Sequence, residues 1–127
     1  MKQQAVVEQV VAPIETPVLT GIQRQGDVMV VPMRPGKVTG LVPVGVNGVV
    51  VAGGVAMRND HTLFAPEGGV HFAPATDDLR RLGTVVVEEG KVAVIDHPEH
   101  GRMAFGPGSY ALKCPVEQLD ELRRVAD

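Results

Sequence analysis

Short apolar runs, rich in valine and broken by glycine and proline, recur along most of the chain, with polar residues alternating inside them. Period-two patterning over stretches of about four to eight residues marks half-buried strands. It predicts strands over 27–33 and 37–44, separated by the Pro35-Gly36 turn, and further strands over 62–65, 70–73, 84–88, 91–95 and 102–112. Asn47-Gly48, flanked by Val44-Gly45-Val46 and Val49-Val50-Val51, reads as a two-residue type I′ hairpin turn, whose two central residues both need φ > 0. Glu89-Gly90 reads as the turn of a second hairpin, and Pro107-Gly108 as a bend or bulge in the last strand.

Two segments depart from this pattern. Thr76 is placed to cap one helical turn through Asp77, Asp78, Leu79 and Arg80, closing at Gly83. After Pro115, the residues Val116, Leu119, Leu122 and Val125 recur every third position, which suits a short amphipathic helix or a strand following a turn. At the other end, Pro13 and Pro17 exclude a regular helix from a Gln/Val-rich stretch. Residues 1–21 therefore read as an extended arm or edge strand ahead of a single β-domain, 22–127. Leaving Val6, Val7, Val10, Val11 and Ile14 in water is costly, so the arm is expected to pack along its own domain or on a neighbouring subunit. The fold expected is all-β, a small barrel or jelly-roll-like sandwich of short strands with at most two short helices.

Composition narrows the function more than the fold. A chain of 127 residues is enough for one core. The only aromatic residues are Phe64, Phe72, Phe105 and Tyr110, and the net charge is −3 with both signs interspersed. Bases have little to stack on and phosphates no basic stripe to follow, so no nucleic acid is expected as partner. Cys114 is the single cysteine, which rules out an internal disulfide. No signal-peptide pattern opens the chain and no apolar run approaches the length of a membrane span, so no membrane partner is expected and the compartment expected is the cytoplasm.

The chemistry is concentrated in four histidines, His61, His71, His97 and His100. Two lie in Asp96-His97-Pro98-Glu99-His100-Gly101, which follows an apolar strand and carries the proline and glycine of a turn at a sheet rim. With Asn59-Asp60-His61, it offers nitrogen and oxygen donors of the kind zinc, iron or manganese accept. Cys114, beside Lys113 and Pro115, reads as a packed thiol with no histidine close in sequence to activate it. Gly53-Gly54 and Gly68-Gly69 lack the lysine and helix start of a phosphate loop and read as turns.

Several of these segments resemble the signature of a family of small β-rich bacterial and phage proteins. Gln25-Gly26-Asp27-Val28-Met29-Val30-Val31-Pro32 is similar to its GD-hydrophobic-P opening, and His97-Pro98-Glu99-His100-Gly101 to its H-E-E-H-G turn. Pro107-Gly108-Ser109-Tyr110 resembles its P-P-G-x-Y element, and Arg123-Arg124-Val125-Ala126-Asp127 its R-x-V-A-D end. The resemblance runs over about residues 22–127 and is loose between Val31 and Val51. It implies a cupin-like pocket in which a G-H-x-H element faces the H-E-E-H-G turn. Here that element reads Arg58-Asn59-Asp60-His61, so Asn59 replaces one imidazole, and the basic strand after the tyrosine reads Ala111-Leu112-Lys113-Cys114-Pro115.

Two functions follow as expectations. The first is a non-catalytic β-domain acting through protein contacts, an assembly, decoration or regulatory subunit of a bacterium or its phage and possible virion component. It would be a homo-oligomer joined through the arm, with no cofactor. The alternative is a cupin-like metal protein or metal-dependent enzyme, with His61, His97 and His100 on zinc or iron and Glu99 as base or fourth ligand.

Overall fold

A computed structural model describes residues 16–52, 60–75 and 81–114, and among these every regular element is a strand. The eleven strands are β1 (Val18–Leu19), β2 (Gln23–Gln25), β3 (Val28–Met33), β4 (Val42–Pro43), β5 (Val49–Ala52), β6 (His61–Phe64), β7 (Val70–Pro74), β8 (Arg81–Val87), β9 (Ala93–His97), β10 (Gly101–Phe105) and β11 (Gly108–Lys113). They divide into a five-stranded sheet, β1-β10-β9-β6-β5, and a six-stranded sheet, β2-β3-β11-β8-β7-β4. The fold is all-β and sandwich-like, without closure into a barrel. No helix among the described residues is long and apolar enough to cross a membrane.

Alternation along the strands builds the core. Val28 and Val30 of β3, Phe72 of β7, Val85 and Val87 of β8, and Tyr110 and Leu112 of β11 pack from the six-stranded sheet. They meet Leu63, Ala93, Ile95, Met103 and Phe105 of the five-stranded sheet. The Phe105 and Tyr110 rings meet edge to face with centroids 4.8 Å apart, a geometry that suits the aromatic quadrupole. Pro32 is tolerated inside β3 because β2 begins at Gln23, opposite Val30, and among the described residues no strand pairs with the outer side of β3 beyond that point.

Several sequence expectations need correction, and they share one cause. Asn47-Gly48 does not turn a hairpin, because β4 pairs with β7 in one sheet and β5 with β6 in the other. The turn there is Gly45 to Gly48, closed by the Gly48 amide on the Gly45 carbonyl at 3.0 Å, and it carries the chain from sheet to sheet. Gly48 does have φ +76°. Glu89-Gly90 likewise turns the chain, with Gly90 at φ +77°, but it links β8 to β9 in the opposite sheet rather than closing a hairpin. The span 102–112 is two strands in different sheets, and Pro107-Gly108 lies at the crossing. Local turn chemistry reports where the backbone reverses; it does not report which sheet receives it.

Other boundaries moved for local reasons. The strand expected over 37–44 shrinks to Val42–Pro43, since Gly40 at φ +82° breaks the extended run. Gly83 closes no helical turn: it lies inside β8, where a Cβ would fall 2.6 Å from the Phe72 ring and the Ala73 carbonyl oxygen. Residues 76–80, Gly53-Gly54, the region 116–125 and the arm up to residue 15 lie outside the described residues. From Thr16 onward the arm is described, and Val18 and Leu19 pair in parallel with Ala104 and Phe105 as an edge strand. Cys114 is a buried thiol.

Candidate functional site

The inward rows of two strands, β6 and β9, run out of apolar residues at one end of the sandwich. Leu63 is followed inward by His61 on β6, and Ile95 by His97 on β9. On β2 the buried inward residue is Gln25. His61 is 3% exposed, and His97 is buried at the last position of β9. Pro98, Glu99 and His100 then turn the chain into β10, with His97 opposite Gly101. His100 is exposed on this turn.

The three imidazoles form a cluster, with the His97 ring tilted by 39° and 34° against the other two. Ring centroids lie 4.3 Å apart for His61 and His97, 4.5 Å for His97 and His100, and 6.4 Å for His61 and His100, whose planes differ by 12°. His71 is not part of it; on β7 its Nδ1 faces the Glu88 carboxylate at 3.8 Å.

The Gln25 amide ties His61 to the neighbouring backbone. Its Nε2 donates to the Ile95 carbonyl oxygen at 3.0 Å and to the Gly101 carbonyl oxygen at 2.7 Å, using both N–H groups. Its Oε1 lies 2.8 Å from His61 Nδ1 and can only accept, so the His61 proton is on Nδ1 and the lone pair on Nε2. In His97 the roles are reversed: its Nδ1 accepts from the backbone amides of Glu99 at 3.0 Å and His100 at 3.1 Å, which places the ring proton on Nε2. The Gly26-Asp27 turn of the β2–β3 hairpin closes over His100. A Cβ on Gly26 would fall 2.7 Å from the His100 Nε2 and Cδ2 atoms.

Electrostatics follow from burial. Removal from water pushes the His61 imidazole from 6.5 down to about 4, and His97 adds to this. Asp27 opposes it, His100 lowers it further, and Asp60 opposes it.

Of the sequence-derived set, His61, His97 and His100 come together, and Glu99 lies on the same turn. The His97 Nδ1 lone pair accepts from the backbone amides of Glu99 and His100. Among the described residues, no group of three or more His, Cys, Asp or Glu is placed to hold a metal. Asn59 lies outside the described residues. Gln25, the residue on which the arrangement depends, carries no sequence signal of this role, because Gln23-Arg24-Gln25 has no apolar alternation to mark it as a strand.

No curated protein and no solved structure matches the chain. A family model does match residues 24–114, a span that includes Gln25, His61, His97 and His100, and the chain belongs to that family, described as a domain of unknown function, DUF8820.

Proposed function

We propose that the chain is a non-catalytic β-domain that works through protein contacts and self-associates through residues 1–21, as an assembly, decoration or regulatory subunit of a bacterium or its phage. The observation that carries this reading is the apolar edge at β1. Val18 and Leu19 are about half exposed and Ile22 is 67% exposed, continuing the apolar series Val6, Val7, Val10, Val11 and Ile14 along the same segment. A two-residue edge strand of this composition is a site for strand addition or exchange between identical copies. The resemblance to small phage and bacterial proteins supports the setting, a virion component included. Light scattering of the full chain, beside a Val18→Lys, Leu19→Lys variant, tests it. An oligomer that the variant reduces to a monomer, with an unchanged circular dichroism spectrum, is the expected result. A wild-type chain that stays monomeric at every concentration would overturn self-association.

A further inference from the structure

The His61–His97–His100 cluster lies where the two sheets join at one end. Gln25 and the Gly26-Asp27 turn belong to the six-stranded sheet, whereas His61 and the 98–100 turn belong to the five-stranded sheet. Across this seam run the Gln25 bonds to Ile95, Gly101 and His61, and the packing of His100 on Gly26.

We infer that the imidazole cluster is an acid-opened clasp, holding the β2–β3 turn against the β9–β10 turn while the rings are neutral and releasing it when His61 takes up a proton. Because His61 Nδ1 already carries a hydrogen, the incoming proton goes to Nε2. The result is a cation at a 3% exposed position, 4.3 Å from the centroid of one imidazole and 6.4 Å from another. Charge in that setting is relieved by admitting water, and the two turns are the parts of the seam nearest solvent. The charged groups facing His61 are Asp60 beside it, Asp27 on the β2–β3 turn, and His97 and His100 on the β9–β10 strand and turn. The two carboxylates temper the effect of a proton without cancelling it. The core rows behind the cluster, Leu63 and Ile95 onward, contain no group that titrates between pH 4.5 and 7.5 and should stay closed.

Native-state hydrogen exchange of the full chain, read by NMR as protection factors from pH 7.5 to pH 4.5, tests the clasp. The amides of Glu99 and His100, held by His97 Nδ1, should lose protection by up to about tenfold per pH unit below 6.5, as expected for an opening linked to one proton. Val85 and Tyr110 in the core should stay more protected than the turn at every pH, since only global unfolding exposes them. His61→Gln, which can still donate to Gln25, should make the turn amides insensitive to pH. His100→Asn, an independent variant that leaves the Gln25–His61 contact in place, should make the total loss smaller, since one of the groups that lowers the His61 value is gone. Equal pH dependence in the wild type and in whichever variants fold, or turn amides no less protected than the core at pH 4.5, would overturn the proposal.

Discussion

The Tyr110 hydroxyl donates to the Gly106 carbonyl oxygen, four residues upstream, at 2.7 Å. This bond spans the crossing at which the chain leaves β10 and enters β11 in the other sheet, and both partners are buried. Tyr110→Phe keeps the ring against Phe105 but leaves the Gly106 oxygen without that donor. Equilibrium urea denaturation should show a loss of about 1–2 kcal/mol with an unchanged m-value.

Gly48 and Gly40 separate backbone strain from steric conflict. Both have positive φ, +76° and +82°. A Cβ on Gly40 meets nothing within 4 Å, whereas one on Gly48 would lie 2.8 Å from the Leu63 carbonyl oxygen and from the Phe64 ring. Gly40→Ala should therefore cost about 1–2 kcal/mol from the left-handed conformation alone, and Gly48→Ala clearly more, by thermal or chemical denaturation. Equal losses would show that the Phe64 contact is of no consequence.

Gln25→Ala should be among the most damaging single polar substitutions in the chain. It leaves the Ile95 and Gly101 carbonyl oxygens and the His61 N–H unsatisfied in a buried setting, at about 1–3 kcal/mol for each group. Gln25→Glu restores an acceptor for His61 but no donors for the two carbonyls, and should recover only part of the loss. Denaturant midpoints of the three proteins give the order wild type, Gln25→Glu, Gln25→Ala.

Global stability should fall with acid in a defined window. The His61 value is depressed in the folded state, so between pH 6.5 and about 4 the unfolded chain binds a proton that the native chain does not. Its contribution is therefore fully present above 6.5, is lost as pH falls through this window, and amounts to about 3 kcal/mol. Denaturation of wild type and His61→Gln at pH 7.5 and pH 4.5 should show a steeper drop for the wild type by that order. Parallel curves would contradict it.

Zinc added to the purified protein should leave its melting temperature unchanged, since His97 has no lone pair to offer while Glu99 and His100 donate to it. A stabilisation that rises with zinc concentration and disappears in His97→Gln would show that the turn rearranges to bind the ion.

The class of fold was legible because valine alternation survives in any register: β3, β7 and β8 fall close to where the pattern puts them. Pairing was not, because residues as far apart as Val31 and Ala111 become partners, and no local turn signal encodes that. The site was half legible. Proline and glycine around His97 and His100 announce a rim turn, and His61 does open a strand. Its organiser was hidden, since a glutamine becomes a clamp only when two carbonyls from another sheet arrive at its amide.

The placement of β10 and β11 sets a schedule on biosynthesis. β11 lies between β3 and β8, and β10 between β1 and β9, yet both strands come last among the eleven. As the chain emerges from the ribosome, the β2–β3 ribbon and the β4-β7-β8 half-sheet have no strand to join them until residues 108–113 are made. The nascent protein therefore carries open strand edges through most of its translation. A chain stalled after β9 would present those edges to its neighbours rather than to itself.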